Sequence, residues 1–541
     1  MISRNIQVYC LRFVPMALLL LAALVAGGIY FWALRPWGPW AFSDSVAYVD
    51  EARNLLQGQG LMSHTTRGEL VFVSHYPPGY PVLLALGMRF LSGDWLAAGR
   101  WIDVVSLVLF LVVAGRVMFE AVGVWPAGLV TMISLAVFPP LTRLFLGLMS
   151  EPPFLVLEMV GVYLLWRYVL TEKRRYLYGA GLVMGLAVLV RYAGLYALPV
   201  LFLVPWLFSP SLDNPLRMRH SLNVTLLVLF PFGIWGGFSL LKKGVSPRHW
   251  TPVDLWLGEV QFFLRETPQV FQEALKYEAT HTRLPLWGVM AFWAVAVLLL
   301  FWGVWRWRQG RWRGDRVEAL ALVTLFLAWA WFPTLALMRV FVSPSPAISL
   351  RMYTPAFALW VLSFWAVFWG WVRGKVSKRW RLSALGWALS VGLLLSAWEA
   401  PYRPPRLLLG DMHAYGQGFT ARPWHIIAHE GVLHQAALLP RETPLFSNRW
   451  EAVLLWLGRP AQVVHLEAWL QAAKQGQLEN RADYQNWRQS QGALVVLWPQ
   501  GKIPKSKKEV VALLAQEGVC LSDEGGWLCL PKPSSPQEQG P

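Results

Sequence analysis

From residue 14 to about 399 the chain returns repeatedly to apolar runs near the ~20 residues that an α-helix needs to cross about 30 Å of hydrocarbon. Such a chain must satisfy its backbone within helices, so the runs are read as spans before anything else is weighed. Eleven crossings are expected, at 14–34, 101–119, 126–141, 153–169, 177–190, 194–208, 221–241, 286–304, 317–338, 354–372 and 383–399. A mean hydropathy of +0.41 with 15% charged residues agrees with a polytopic α-helical membrane protein. The first run is long and no small-residue cleavage site follows it, so it reads as a span and not as a removed signal peptide.

The formal charge of +17 would suit a nucleic-acid binder, but its distribution argues otherwise. Segments 1–12, 170–178, 209–220, 305–316 and 373–381 hold seventeen Lys or Arg against three acids, Glu172, Asp213 and Asp315. The alternate loops 35–79, 142–152, 242–285 and 339–353 hold twelve against ten acids. A positive bias in every second loop is an orientation signal. It places the amino terminus in the cytoplasm and the carboxy terminus outside a plasma membrane, with no nucleic-acid partner.

The transmembrane domain is expected to end at 399. Its first external loop, 35–100, carries a short amphipathic helix and a run at 82–91 too short to span, read as re-entrant or interfacial. In the helix, Val49, Ala52, Leu55 and Leu56 recur at helical spacing while Asp50, Glu51, Arg53 and Asn54 take the other side. That pattern suits a helix lying on a membrane surface, with Asp44 in its first turn. The plain alternative is that Asp44, Ser43 or Ser45 caps the helix. External loop 242–285 is long enough for a surface helix around 254–278.

After Pro401, Pro404 and Pro405 the pattern changes. Apolar runs suited to strands at 444–447, 461–465 and 493–497 alternate with helical stretches at 424–438, 449–457 and 504–517. Residues 400–532 therefore read as a small extracytoplasmic α/β domain with a terminal hairpin, and 533–541 as a disordered tail. A two-residue loop at Glu524-Gly525 would set Cys520 opposite Cys529 at a non-hydrogen-bonded pair, where a disulfide can close; a register one residue off removes it. His425 and His429, with Glu430, His413 and His434 nearby, imitate half a zinc site but lack a third fixed ligand, and no metal is expected there.

Chemistry is expected where ionisable residues land at the external ends of spans. Asp44 and Glu151 are carboxylates at membrane-adjacent positions, and desolvation makes such a group a reasonable general base. Arg351, entering the span 354–372 from outside, can hold a phosphate through its planar fork, with Lys242 and Lys243 adding charge. Arg191 is embedded enough to need a partner. The alternatives are a helix-opening Glu151, an interfacial snorkelling Arg351 and plain surface lysines.

Five short elements resemble, in order and sidedness, the GT-C superfamily of membrane glycosyltransferases, in its protein O-mannosyltransferase and aminoarabinose transferase branch. They are Asp44-Ser45-Val46-Ala47-Tyr48 with Ala52, His75-Tyr76-Pro77-Pro78-Gly79-Tyr80, Ser150-Glu151-Pro152, Arg191-Tyr192, and Arg351-Met352-Tyr353-Thr354-Pro355. The resemblance covers roughly residues 10–375. It implies an inverting glycosyltransferase that moves one sugar from a polyprenyl-phosphate donor to a lipid, glycan or protein acceptor at the external face. It implies Asp44 as catalytic base, with Tyr48, His75, Tyr80, Glu151, Arg191, Tyr353, Arg351, Lys242 and Lys243 on the substrates. A divalent ion, if one is used, would sit at Asp44 and Glu151. Ser45 and His75-Tyr76 depart from the branch's patterns, so neither mannose nor aminoarabinose is carried over. A transporter of lipid-linked sugars, or an inactive relative acting as a binding protein, are the other classes; the sequence shows no Gly/Pro-broken helix pairs in two halves, which many transporters carry.

Overall fold

Each stretch expected to cross the membrane is wholly or mainly helical in the computed structural model, which describes residues 2–242, 249–250, 255–276, 285–343, 349–375, 379–399, 408, 412–498, 507–523 and 525–532. Among the described residues, seven helices are long and apolar enough to span: Phe13–Leu34, Trp95–Val122, Glu151–Thr171, Asn214–Leu241, Leu286–Arg308, Arg316–Phe341 and Leu350–Lys375. The chain is a multi-pass membrane protein. The other four expected crossings are weaker as spans, for local reasons. Trp125–Ala136 stops before Pro139-Pro140, and Arg174–Val190 ends where Arg191 turns extended (φ −148°, ψ 127°). A 3₁₀ turn, Tyr192–Ala197, then leads into the short helix Leu198–Phe208, and Arg379–Glu399 opens with two arginines. The run 82–91 lies within a twelve-residue helix, Gly79–Phe90. The surface helix expected around 254–278 is Trp256–Lys276.

The residues divide into two compact units: Met1–Arg35 with Ser74–Tyr80 and Gly99–Ala414, and Pro36–Val73 with Pro81–Ala98 and Tyr415–Pro541. Within the first, lipid tails give helices no hydrophobic reason to associate, so close packing at small residues does the work. A Cβ on Gly128 would stand 2.4 Å from the Gly115 carbonyl oxygen, so these two helices approach at backbone distance.

The second unit pairs β1 (Met62–His64) with β2 (Leu70–Phe72) as an antiparallel hairpin. Its larger sheet contains β3 (Leu445–Ser447), β4 (Ala461–Val463), β5 (Ala493–Leu497), β6 (Gly518–Asp523) and β7 (Gly526–Pro531), in the order β4-β3-β5-β7-β6. The first three are parallel and the last two antiparallel. β5 is buried along its whole length, as a central strand covered on both faces must be. One face packs on Trp424, Leu433 and Val453, the other on Trp469, Trp487 and Leu514. Cys520 pairs with Cys529 in register and the two form a disulfide, with Cα atoms 4.1 Å apart. Helices Leu466–Lys474 and Ala482–Ser490 were not expected. Each buries only two large apolar side chains, Leu466 with Trp469 and Tyr484 with Trp487, too thin a stripe to stand out from its polar residues. The tail 533–541 and the proline linker lie outside the described residues.

One expectation is overturned. The helix Ser43–Leu56 is not a membrane-surface amphipath, because Asp50, Glu51 and Asn54 are buried and Leu56 is exposed. The supposed polar face is turned against β1. Asp50 accepts hydrogen bonds from the Ser63 hydroxyl (2.9 Å) and the His64 backbone N–H (2.7 Å), and lies 3.1 Å from His64 Nδ1. Asn54 Nδ2 donates to the Met62 carbonyl (2.9 Å). Arg53 donates to the Leu454 and Leu455 carbonyls, at 2.9 and 2.8 Å, in the last turn of the helix Trp450–Leu457, where carbonyls lack partners and the dipole favours a cation. Polar groups can be buried here because partners receive them.

Glu51 is the exception, since its Oε1 has no hydrogen-bond partner among the described residues. Burial, and then the Asp50 carboxylate, push its carboxyl well above the ordinary 4.5. A raised acid favours folding only while the unfolded carboxyl is also protonated, so this contribution is full below pH 4.5 and is lost as pH rises. Glu51→Gln is expected to raise the melting temperature at pH 7 to 8, with the gain shrinking to nothing near pH 4, as read by thermal unfolding of the purified chain across that range.

Candidate functional site

The first unit converges on Glu151. Its helix, Glu151–Thr171, opens Glu-Pro-Pro, and prolines are tolerated in a first turn because their missing N–H groups have no intrahelical acceptor there. The carboxylate is fully buried. Arg191 Nη1 lies 2.7 Å from Oε1, and Arg351 engages both oxygens through Nε and Nη2, the latter at 3.3 Å from Oε2. Arg191 reaches it because the backbone break at 191 frees that side chain from a helix surface. Its Nη1 also donates to Ser150 Oγ (3.2 Å), and Nη2 contacts Met352 Sδ at 3.9 Å. Arg351 stands in the first turn of Leu350–Lys375, so three helix termini meet on one carboxylate.

An isolated charge here would cost several kcal/mol, and fork-shaped pairing offsets that cost. Arg351 is therefore paired, not a snorkelling interfacial residue, although its side chain remains 25% exposed. Beside it Trp331 Nε1 donates to the Met352 carbonyl (3.0 Å), and the buried Tyr353 hydroxyl shares a 2.5 Å hydrogen bond with Thr267.

Sequence reasoning missed Asp103. It is fully buried in Trp95–Val122, neither oxygen has a hydrogen-bond partner among the described residues, and it lies close enough to Glu151 for their charges to interact. The available signal was an acid inside an apolar run. Glu158, nearly two helical turns beyond Glu151, is a second such acid, taking a 2.6 Å hydrogen bond from the Tyr196 hydroxyl.

The segment 74–80 is held within the same unit. The Tyr192 hydroxyl donates to the Ser74 carbonyl (2.9 Å) while accepting from Trp235 Nε1 (2.8 Å). Gly79 has no alternative, since a Cβ would stand 2.7 Å from the Leu189 carbonyl oxygen. His75 meets the Tyr76 ring edge-on, with centroids 4.6 Å apart, and Tyr80 is fully buried.

Asp44 and Tyr48 belong to the second unit, one helical turn apart, Asp44 half-buried and Tyr48 buried. The cap is Phe42, whose N–H donates to Ser45 Oγ at 3.2 Å. Lys242 ends Asn214–Leu241 as an exposed residue with its ammonium 6.0 Å from the Phe238 ring centroid; Lys243 lies outside the described residues. His425 is engaged with the Trp37 carbonyl (3.1 Å). Among the described residues no group of three or more His, Cys, Asp or Glu is placed to hold a metal ion. Glu151, faced by two guanidiniums, is a poor ligand for a divalent cation.

Removing one partner of a buried ion cluster strands the rest. Glu151→Gln is expected to destabilise the chain by about 3–5 kcal/mol, and the double change Glu151→Gln with Arg191→Met to recover much of that loss. Thermal unfolding in detergent of wild type and both variants checks it.

Residues 75–235 match the family model described as dolichyl-phosphate-mannose-protein mannosyltransferase. A comparison with curated proteins by sequence returns no match. Among solved structures the chain is similar to ArnT from Cupriavidus metallidurans bound to undecaprenyl phosphate, with 15% identity, a TM-score of 0.50, and coverage of 94% of this chain and 97% of that one. It also resembles the archaeal oligosaccharyltransferase AglB from Archaeoglobus fulgidus, at 14% identity and a TM-score of 0.49, over 88% of this chain and 69% of that one. The chain has the fold of the GT-C membrane glycosyltransferases, in the form that ArnT shows.

Proposed function

We propose that the protein is a membrane glycosyltransferase that moves a single sugar from a polyprenyl-phosphate donor to a lipid, glycan or protein acceptor at the extracytoplasmic face of the plasma membrane. The observation that carries this reading is the Glu151 cluster. Two arginines share one buried carboxylate at the ends of membrane helices, and one of the guanidiniums is still part-exposed. A lipid phosphate is the anion that reaches such a place from the bilayer. The undecaprenyl phosphate bound by ArnT supports the same donor class.

In the reaction the acceptor hydroxyl or amine attacks the anomeric carbon and loses its proton to Asp44. The bond from that carbon to the phosphate oxygen breaks with inversion, and polyprenyl phosphate departs with the electron pair. A phosphate needs no strong acid to leave. Arg351, with Arg191 behind it, stabilises the charge that develops on the departing oxygen, the kind of preorganised electrostatic help worth a few kcal/mol per donor. Tyr48 and His75 are assigned to the sugar, and Lys242 with Lys243 to the phosphate. No step needs a divalent ion.

The test is sugar transfer by wild type and Asp44→Asn in reconstituted membranes supplied with mixed polyprenyl-phosphate sugars, read by mass spectrometry of released carrier and modified acceptor. Asp44→Asn is expected to lose at least a hundredfold in turnover while still binding donor. Equal turnover would remove Asp44 from the chemistry.

A further inference from the structure

The far ends of the same helices enclose a second basic site, separate from the one assigned to transfer. Arg167 stands sixteen residues beyond Glu151 on one helix, about 24 Å along its axis. There a cavity of about 1120 Å³ opens among the ends of Trp95–Val122, Glu151–Thr171 and the start of Arg316–Phe341. Its lining includes four arginines, Arg116, Arg167, Arg313 and Arg316, against a single acid, Glu120, among the described residues.

Glu120 organises two of them. Arg116 Nε lies 2.8 Å from its Oε1 and Arg167 Nη1 lies 3.1 Å from its Oε2. Both guanidiniums also lie on the Tyr163 ring, at 5.2 and 5.9 Å from its centroid. Arg313 and Arg316 are exposed and have no carboxylate partner among the described residues. One acid thus fixes two guanidiniums as a wall, and the other two complete the positive lining. Fixed, weakly hydrated guanidiniums of this kind suit phosphate oxygens.

The remaining walls name the carrier of that phosphate. Pro15 and Met16 line the cavity, and their helix neighbours Phe13 and Val14 are apolar and exposed on a spanning helix, so the cavity borders the surface that hydrocarbon covers. Phe119, Val124 and Trp125 extend the apolar side. Basic loops surround this end, the end that charge bias assigns to the cytoplasm.

We propose that this cavity binds the phosphate headgroup of an anionic membrane lipid, with the acyl or prenyl chain leaving past Pro15 and Met16. The site is independent of the transfer reaction. The full-length chain in detergent, wild type and Arg313→Gln/Arg316→Gln, is titrated with phosphatidylglycerol, phosphatidylcholine, polyprenyl phosphate or inorganic phosphate, and bound species are counted by native mass spectrometry. Arg351→Gln controls for the other arginine cluster, and melting temperature controls for folding.

Phosphatidylglycerol or polyprenyl phosphate should bind at least tenfold more tightly than phosphatidylcholine, and at least tenfold more weakly to the Arg313/Arg316 variant, while Arg351→Gln leaves phosphatidylglycerol binding unchanged and weakens only the separate polyprenyl-phosphate site assigned to transfer. Whichever lipid shows the loss identifies the source. Equal binding of anionic and zwitterionic lipids, or an Arg313/Arg316 variant that folds and binds as wild type does, overturns the proposal. Inorganic phosphate binding as tightly as the lipids would overturn the lipid assignment.

Discussion

A carboxylate buried without solvent must find cations, and in the membrane unit Glu151 finds two. That requirement joins three helix termini that the chain brings from positions forty and two hundred residues away. It also explains features that look unrelated. The broken backbone at Arg191 puts a guanidinium beside the carboxylate where a continuous helix would not. Ser150, Met352 and Trp331 serve the same cluster by taking or supporting the atoms left over. A cluster so tied can keep one guanidinium part-exposed at fixed geometry, which is what recognition of a phosphate needs.

The spans were legible because length and apolarity are local properties, and the charge bias between loops ordered them. Glu151, Arg191 and Arg351 were each legible as charges at span ends. Their meeting was not, because position along a helix says nothing about which helix stands opposite. Burial of the polar side of Ser43–Leu56 was hidden for the same reason. Asp50 and Asn54 look solvent-bound in isolation, and only β1, which supplies Ser63, His64 and the Met62 carbonyl, makes their burial affordable. The Cys520–Cys529 pair was readable because a two-residue hairpin loop fixes register over a few residues. Asp103 stands out in the sequence only as an acid in an apolar run; its nearness to Glu151 belongs to tertiary structure.

The two units manage polar burial differently. In the membrane unit, charge is collected at helix ends, with Glu151 at one end of its helix and the Glu120 pair with Arg116 and Arg167 near the other. Between the ends lie glycine contacts, aromatic packing and the two buried acids Asp103 and Glu158. In the second unit, single polar side chains are tied to backbone groups, as Arg53 is to the last carbonyls of Trp450–Leu457. Membrane helices have no unpaired backbone to offer except at their ends, so charges must pair with charges there.

The central claim is that the guanidiniums around Glu151 hold a lipid phosphate. Its most direct measurement is the affinity of sugar-free polyprenyl phosphate for the reconstituted chain, wild type against Arg351→Gln, under conditions where both are folded. A dissociation constant at least tenfold higher in Arg351→Gln is the predicted result, matching the ~1.5–3 kcal/mol of a charge-assisted hydrogen bond. An unchanged constant would contradict the claim and reduce the cluster to a structural clamp.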